Sequence, residues 1–267
     1  MVVTASRSET KFGQFFRKLA ASKKSVLLLD YDGTLAPFQA ERMSAIPYPD
    51  VPPLLKRITS VTDTRLVIIS GRSAREIPPL LGLMLEVWGS HGMERLSPDG
   101  EYRVNRLDVR VSEAFARADD QLHNLGMGNL TERKNGSLAV HWRGLDQEIA
   151  RETCTCALRV MQPIAFSEGL AVVNFDGGIE MRVKTPNKAD VVRTIVKEET
   201  AENPIAYLGD DITDEDAFAE MNPYGLTLLV RKAYRPTSAQ FWIRPPVELI
   251  SFLETWLRAC GGEYDNE

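Results

Sequence analysis

Short apolar runs recur along the chain, and each of them ends in a polar or glycine-containing turn. The runs are SVLLLD (25–30), RLVIIS (65–70), LEVWGSHG (85–92), PIAYLGDD (204–211) and GLTLLVR (225–231). Unbroken apolar runs of this length are typical of parallel strands that are buried on both faces. Helical patterns lie between several runs, and the C-terminal segment has apolar residues at 247, 250, 253 and 257, as in an amphipathic helix. The pattern predicts an α/β fold with a parallel sheet and helices on both of its faces.

Residues 106–183 interrupt this alternation. Two helical patterns, VSEAFARADDQLHNL (111–125) and DQEIARETCTCALRVM (146–161), alternate there with two hairpin signals. The signals are Asn135–Gly136 and Asp176–Gly177, each placed between two runs of alternating polarity. We therefore predict that an α+β domain of residues 106–183 is inserted into an α/β core made of residues 1–105 and 184–267.

Period-two alternation assigns the hairpin side chains to two faces. With a two-residue turn at Asn135–Gly136, Lys134 pairs with Ser137 and Glu132 pairs with Ala139. The apolar face is expected to pack on the inserted domain's own helices, which leaves the polar face as a sugar-binding surface or a merely solvated one. That polar face carries Glu132, Lys134, Ser137, His141 and Arg143 from the first hairpin, and Glu180 and Arg182 from the second.

Polar residues follow the predicted strands at their carboxyl ends. Asp30 and Asp32 follow the first run, Ser70 ends the second, and Asp210 and Asp211 end the fourth. In open α/β sheets, ligands bind beyond the carboxyl ends of the strands. Carboxylates gathered at one edge repel each other unless a cation lies among them. A ligand set of oxygens, without a cluster of histidine and cysteine, favours Mg²⁺.

Each of these signals also has a structural interpretation when it is taken alone. A D-x-D-G segment also fits a turn or part of a calcium loop, and Ser70 also fits a helix N-cap. The acidic residues 214–216 also favour a helix N-terminus. His91 and Glu94 either face a bound sugar or form hydrogen bonds within their own loop.

Four segments, taken in order, resemble the motifs of the haloacid dehalogenase-like (HAD) phosphatases. DYDGTLAPF (30–38) is similar to the first motif, D-x-D-G-T, and VIISGR (67–72) to the second, a strand ending in serine or threonine. Lys188 is placed like the third-motif lysine, although Ala189 follows it where the family usually has glycine, and YLGDDITDEDAF (207–218) resembles the fourth motif. The resemblance implies a Rossmann-like core with a parallel sheet, and a smaller inserted α+β cap domain between the second and third motifs.

The resemblance also implies roles for the motif residues. Asp30 is the nucleophile that forms an aspartyl-phosphate, and Asp32 is the general acid that later acts as general base. Ser70 binds a phosphoryl oxygen, Lys188 offsets charge in the transition state, and the turn at Gly33 leaves amide N–H groups near the phosphate. The implied Mg²⁺ contacts are the carboxylates of Asp30 and Asp210, the backbone carbonyl of Asp32, and Asp211 and Asp214 as outer or water-mediated contacts.

Three segments are similar to the trehalose-6-phosphate phosphatases in particular. They are GDDITDEDAF (209–218), GSHGMER (89–95) and ERKNGSLAVHWR (132–143). Four cap residues match positions at which the family contacts the non-reacting part of a disaccharide phosphate. They are Glu132, Lys134, Arg143 and Glu180. We also expect Gly33, Arg72 and His91 in the substrate site. Closing such a cap excludes water and completes the site.

The resemblance therefore predicts a phosphoric monoester hydrolase that releases phosphate from trehalose 6-phosphate with the help of Mg²⁺. The same chemistry on sucrose phosphate or mannosyl-3-phosphoglycerate is the nearest alternative, and a phosphomutase is another. A catalytically inactive module that binds a sugar phosphate is the alternative of a different class. The presence of Asp30, Asp32, Lys188 and Asp210 argues against that last interpretation.

Composition and charge restrict the partners. The 267 residues carry a formal net charge of −5, which provides no electrostatic footprint for nucleic acid or an anionic membrane. No apolar run approaches the ~18 residues that a membrane span requires, and the N-terminal 20 residues favour a short amphipathic helix over a signal peptide. The 3 cysteines lack metal-binding spacing and suit a reducing compartment. We expect a cytoplasmic protein whose partner is a small-molecule sugar phosphate. The sequence is compatible with a monomer and leaves the protein partners open.

Overall fold

The computed structural model describes residues 8–39 and 44–261. Its helices are α1 (Ser8–Ala21), α2 (Val51–Val61), α3 (Ile77–Leu81), α4 (Val109–Asn124), α5 (Gln147–Glu168), α6 (Lys188–Glu198), α7 (Glu215–Met221) and α8 (Val247–Ala259). Its strands are β1 (Ser25–Leu29), β2 (Thr64–Ile69), β3 (Glu86–Gly89), β4 (Glu94–Leu96), β5 (Tyr102–Val104), β6 (Thr131–Lys134), β7 (Ser137–His141), β8 (Ala171–Phe175), β9 (Gly178–Arg182), β10 (Ile205–Gly209), β11 (Leu226–Val230) and β12 (Phe241–Ile243). The predicted N-terminal helix corresponds to α1, and its residues 1–7 lie outside the described part of the chain.

The main sheet has the strand order β12-β11-β10-β1-β2-β3-β4-β5. Neighbouring strands are parallel from β12 through β3. Every residue of β1, β10 and β11 is buried, as expected for central strands that helices cover on both faces. Apolar clusters lie on the two faces of the sheet, one including Leu27 and Trp256 and the other including Leu28 and Phe218. The predicted α/β fold with a parallel sheet is confirmed.

The edges of the main sheet were not predicted. Strands β4 and β5 continue the sheet beyond β3 as antiparallel neighbours, and β12 adds a parallel strand at the other edge. Each of these strands has 3 residues: β4 has two charged residues followed by leucine, β5 has an arginine between tyrosine and valine, and β12 is apolar throughout. A segment this short does not complete enough alternations to be distinguished from a loop by its pattern.

Residues 109–182 form a second, antiparallel sheet of order β6-β7-β9-β8, packed against α4 and α5. Its register pairs Glu132 with Ala139 and Lys134 with Ser137, which confirms the predicted faces of the first hairpin. Ala139 in turn pairs with Glu180, so both hairpins place their polar residues on one face. We call the unit of this sheet and its two helices the cap.

The apolar face of the cap sheet has a cluster of its own. Leu138 and Met181 are fully buried there against Phe115 of α4 and Met161 of α5. This cluster is separate from the two that cover the main sheet, which supports the proposed division between a core and a cap of residues 106–183. No helix among the described residues is both long and apolar enough to cross a membrane.

Candidate active site

The strand order explains why distant residues meet. Strands β10, β1 and β2 are consecutive neighbours in the main sheet. Asp210 directly follows β10, Asp30 directly follows β1, and Ser70 directly follows β2. Because these strands are parallel, their carboxyl ends share one edge, and the residues that follow them lie side by side.

The carboxylates of Asp30, Asp210 and Asp214 form a buried acidic cluster at this edge. Their ligand oxygens all lie within 4.8 Å of one another, which is close enough for one cation to contact all of them. The ammonium group of Lys188 lies beside the cluster and donates to Asp30 Oδ1 at 2.7 Å and to Asp214 Oδ1 at 2.6 Å. The lysine side chain is only 3% exposed, so these ion pairs are shielded from solvent.

The start of α6 fixes Lys188 in this position. Asn187 forms a capping box with Asp190, in which each side chain accepts from the other residue's backbone N–H. Lys188 is the first residue of the helix, and its side chain extends into the acidic cluster. Ala189, the departure from the family's usual glycine, donates its N–H to Asn187 Oδ1 at 2.9 Å and leaves the lysine in place.

Burial and neighbouring charges shift the pKa values of the cluster. Burial raises the pKa of Asp30 to about 7, Lys188 acts in the opposite direction, and Asp214 raises it further. Burial and then Asp30 also raise the pKa of Asp210 well above its usual value. Burial alone lowers the pKa of Lys188, but Asp214 and Asp30 outweigh it and raise that pKa overall. Burial and the neighbouring carboxylates therefore oppose ionisation of Asp30 and Asp210 more strongly than Lys188 favours it.

Asp214 holds the loop after β10 in place through hydrogen bonds. Its Oδ2 accepts from the backbone N–H groups of Asp210 at 3.1 Å and Asp211 at 3.0 Å, and its Oδ1 accepts from Lys188 and from the Tyr207 hydroxyl. Burial raises the pKa of Asp214, but Lys188 and these hydrogen bonds lower it overall. Both oxygens of Asp214 are used within the protein, which suits the predicted outer role around a cation.

The donor chemistry of the cluster fits a hard divalent cation. All of its groups are carboxylate oxygens, and burial followed by repulsion between neighbouring carboxylates raises the pKa values of Asp30 and Asp210, which a cation among them counteracts. Gly33 keeps the approach to Asp210 open, because a Cβ at this residue, with φ of +84°, would lie 2.1 Å from Asp210 Oδ2. Asp211, also predicted as a metal contact, directs its carboxylate elsewhere, to the N–H groups of Ile212 at 2.8 Å and Asp176 at 3.2 Å.

Arg72 holds Asp32 in a bidentate ion pair. Its Nε and Nη2 both donate to the Asp32 carboxylate at 2.7 Å, and the arginine side chain is only 5% exposed. Ser70 Oγ accepts from the Arg72 backbone N–H at 3.1 Å, which ties this arginine to the loop after β2. The predicted substrate contact of Arg72 stays a prediction, and the structure gives the residue a partner that the sequence did not indicate.

The polar face of the cap sheet lies opposite the acidic cluster. Glu132 accepts from Lys134 Nζ at 3.2 Å and lies 3.0 Å from His141 Nε2. Glu180 reaches the core, where its Oε2 lies 3.1 Å from Nε2 of His91. Arg143 stacks on the ring of Phe38 from the core, 4.2 Å from the ring centroid.

His91 reaches the cap from an unusual backbone position. Its φ of 56° and that of Ser90, 47°, lie in the left-handed region, which is uncommon for residues other than glycine. The ring lies over Gly71, where a Cβ would come within 2.8 Å of it. Burial lowers the pKa of His91, and Glu180 partly offsets this. Burial opposes ionisation of Glu180, yet His91 and Lys134 lower its pKa overall.

A cavity of about 490 Å³ separates the acidic cluster from the cap sheet. A volume of this order suits a small-molecule ligand. The predicted site residues that line it are Asp30, Asp32, Ser70, Arg72, His91, Glu132, Lys134, Arg143, Glu180, Lys188, Asp210 and Asp211. The cavity is also lined by His141, which was predicted on the polar face but not among the substrate contacts, and by Phe38 and Phe175, which were not predicted in the site. The alternation along β7 indicates that His141 belongs to the polar face, whereas no pattern in the sequence indicates that Phe38 or Phe175 lies in the site.

The raised pKa of Asp30 predicts a pH-dependent stability for the metal-free protein. A carboxyl group that binds its proton more tightly when folded contributes stability that is full below its unfolded pKa and is lost as the pH rises towards about 7. We expect the Asp30-dependent part of the unfolding free energy to fall by on the order of 2 kcal/mol between about pH 5 and pH 7. Urea unfolding of the chain and of Asp30→Asn, both in EDTA, measures it. A constant difference between the two proteins across this range contradicts the prediction.

Comparison with known proteins identifies the family. The profile of the family described as trehalose-phosphatase matches residues 28–242. A trehalose-phosphate phosphatase of Mycobacterium marinum is 28% identical over 242 residues, which are 86% of this chain and 60% of that protein. A bifunctional trehalose-6-phosphate synthase/phosphatase of Thermoproteus tenax is 27% identical and covers 88% of this chain and 32% of its own length. The chain thus spans 60% or less of these curated relatives.

Solved structures agree on the fold. The C-terminal domain of the Candida albicans trehalose-6-phosphate phosphatase superposes with a TM-score of 0.73 at 23% identity, covering 94% of this chain and 97% of that one. The matched residues 28–242 include the acidic cluster, Lys188 and both cap hairpins. This chain belongs to the trehalose-phosphatase family.

Proposed function

We propose that this chain hydrolyses trehalose 6-phosphate to trehalose and phosphate with Mg²⁺ as cofactor. The observation that carries the proposal is the cavity with two unlike walls. One wall is the buried acidic cluster with Lys188, which suits a phosphoryl group and a cation. The other is a polar sheet face of carboxylates, lysine and histidine, which suits the hydroxyl groups of a sugar.

The chemistry assigned to the core is a two-step phosphoryl transfer. A carboxylate oxygen of Asp30 forms a bond to phosphorus as the bond from phosphorus to the sugar oxygen breaks, and Asp32 gives that oxygen a proton. Asp32 then takes a proton from a water molecule, whose oxygen attacks phosphorus and releases phosphate and the Asp30 carboxylate. Lys188 holds Asp30 in place at 2.7 Å. Asp30, Asp210 and the backbone carbonyl of Asp32 would hold a divalent cation, which would supply charge neutralisation for the phosphoryl oxygens.

Other residues have supporting roles in this proposal. Ser70 and the backbone around Gly33 bind phosphoryl oxygens, and Arg72 keeps Asp32 oriented until substrate arrives. Asp214 holds the loop that carries Asp210, and Asp211 joins this loop to the cap hairpin through the N–H of Asp176. The sugar contacts come from Glu132, Lys134, Arg143, Glu180 and His91, all of which line the cavity.

A panel of phosphate esters tests this function. Phosphate release is measured from trehalose 6-phosphate, sucrose phosphate, mannosyl-3-phosphoglycerate and glucose 6-phosphate, each with Mg²⁺ and with EDTA. We expect the highest kcat/KM with trehalose 6-phosphate, at least about tenfold above the others, and no turnover in EDTA. A preference for another ester overturns the substrate, and binding without turnover of any ester supports an inactive sugar-phosphate-binding module instead.

Glu132→Ala separates sugar recognition from phosphoryl transfer. Because Glu132 lies on the cap wall with Lys134 and His141, we expect kcat/KM for trehalose 6-phosphate to fall about 10- to 100-fold. The rate with p-nitrophenyl phosphate, which lacks the sugar, should stay within about twofold of the unaltered chain. Glu152→Ala, at an exposed position of the cap helix α5, is the matched control and should change neither rate. Equal losses on both esters contradict the cap assignment.

A further inference from the structure

The tip of the second cap hairpin contacts the core loop that carries Asp210. The backbone N–H of Asp176 donates to Asp211 Oδ2 at 3.2 Å, and Asp176 Oδ2 accepts from Arg231 Nη2 at 3.2 Å. The carbonyl of Asp176 accepts from Arg143, which fixes the turn from the cap side. One turn residue of the cap is therefore bonded through its N–H and its carboxylate to two residues of the core.

Arg231 extends this contact to the acidic cluster. It directly follows β11, whose neighbour β10 carries Asp210 at its end. While Nη2 of Arg231 contacts Asp176, its Nη1 lies 3.4 Å from the carbonyl oxygen of Asp210 and 3.8 Å from Asp210 Oδ2. A single guanidinium group thus lies between a carboxylate of the cap and the proposed cation ligand of the core.

The position of this charge has an electrostatic consequence. A guanidinium group within 4 Å of a cation ligand opposes the binding of a second positive charge there, unless another carboxylate neutralises it. Asp176 supplies that carboxylate when the hairpin is seated on the core. The neighbouring Arg235 also donates to the Asp210 carbonyl, at 3.3 Å, but it pairs with Glu215 of the core, so its charge is matched wherever the cap lies.

We propose that Asp176 and Arg231 are positioning residues that couple seating of the cap to cation binding at Asp210. The proposal rests on the cation site of the proposed function and is independent of which sugar phosphate is hydrolysed. Because a coupling free energy acts in both directions, a bound divalent cation also stabilises the seated hairpin. The enzyme thereby closes over a loaded metal site in preference to an empty one.

Cation titrations of the full chain without substrate test the coupling. Binding of Mg²⁺ is followed by calorimetry and binding of Mn²⁺ by electron paramagnetic resonance. Asp176 and Arg231 are 43% and 29% exposed, so we expect Asp176→Asn to raise the Kd by about threefold, the range of a partly screened ion pair. Asp120→Asn removes the same charge from an exposed position on α4 and should leave the Kd unchanged.

Replacing Arg231 should not weaken cation binding as replacing Asp176 does. Arg231→Gln removes the opposing charge and should lower the Kd or leave it unchanged, and adding Asp176→Asn to it should have no further effect. Hydrogen exchange of the Asp176 turn provides a second measurement. We expect Mg²⁺ to slow exchange there in the unaltered chain and in Asp120→Asn, and not in Arg231→Gln.

These measurements distinguish a failure of the proposed coupling from a failure of the proposed cation site and function. A Kd for Asp176→Asn equal to that of the unaltered chain, or an equal rise in the Arg231→Gln background, overturns the coupling while the cation site stands. No binding of either cation to the unaltered chain overturns the cation site and the coupling together. The ester panel, which measures turnover, then shows independently whether the chain is a phosphatase.

Discussion

Asp30→Asn is expected to abolish turnover of trehalose 6-phosphate, lowering kcat by roughly 10⁴-fold or more. The asparagine side chain has the shape of the carboxylate but lacks the charged oxygen that attacks phosphorus. Asp30 is 4% exposed and bonded to Lys188, so asparagine at this position should occupy the place of the carboxylate without supplying a nucleophile. Initial rates of phosphate release, with protein at high concentration to reveal residual activity, measure the effect.

Two controls make the Asp30 result specific. Asp63→Asn is the same substitution at an exposed position of the core, and it should leave kcat unchanged. Calorimetric binding of trehalose 6-phosphate to Asp30→Asn should persist, because the cap contacts are intact. Turnover by Asp30→Asn within about tenfold of the unaltered chain is incompatible with a covalent route through this residue.

Lys188→Met has the second large effect, on stability as well as rate. Methionine keeps much of the lysine's length and apolar stem, but the ammonium group that pairs with Asp30 and Asp214 is lost. Removing one partner of a buried ion pair costs about 3–5 kcal/mol, because it leaves unpaired charge in the interior. We expect this loss in the unfolding free energy of the metal-free protein, and a fall in kcat of at least about 10³-fold.

Mg²⁺ and a second variant show whether charge is the cause. If Lys188 stabilises the fold through its positive charge, Mg²⁺ can partly replace that charge. Adding Mg²⁺ should then raise the unfolding free energy of Lys188→Met by more than it raises that of the unaltered chain. Lys197→Met, at an exposed position of the same helix, should cost well below 1 kcal/mol. Urea unfolding of the three proteins, in EDTA and in Mg²⁺, gives these values. Equal destabilisation by Lys188→Met and Lys197→Met would rule out a buried charge network.

The sequence contained the elements of the fold that repeat a simple pattern. Apolar runs such as SVLLLD predict buried strands because both faces of a central parallel strand need apolar side chains. The Asn135–Gly136 turn determines the register of its hairpin, and that register assigns every side chain of β6 and β7 to a face. Elements without such a repeat were missed, as were β4, β5 and β12, with 3 residues each.

The helix after Ser70 shows a partial success. One of the helical patterns that lie between the apolar runs begins with GRSAREI (71–77), and the structure has a 3₁₀ turn at Ala74–Glu76 before α3 (Ile77–Leu81). Pro78 and Pro79 lie in the first turn of α3, where a missing N–H costs nothing, and they place the start of the regular helix there.

Contacts between separate loops were the part of the site that the sequence predicted least well. Arg72 and Asp32 lie 40 positions apart, and Asp176 and Arg231 lie 55 positions apart. Their pairing depends on how two loops project from the sheet and on which rotamers the neighbouring side chains allow, and neither leaves a periodic signal. The direction of neighbouring side chains within one loop was equally hard to predict. The carboxylate of Asp211 points to the cap, while that of the adjacent Asp210 belongs to the acidic cluster.

Chemical trapping of the phosphorylated enzyme addresses the assignment on which the other roles depend. The chain is mixed with trehalose 6-phosphate and Mg²⁺ and quenched in acid during turnover. Borohydride then reduces any aspartyl-phosphate to homoserine, and peptide mass spectrometry locates the modified residue. We predict homoserine at position 30, at a level that requires substrate and is absent in Asp30→Asn. Steady turnover with an unmodified Asp30, or with the phosphoryl group on another residue, contradicts this account.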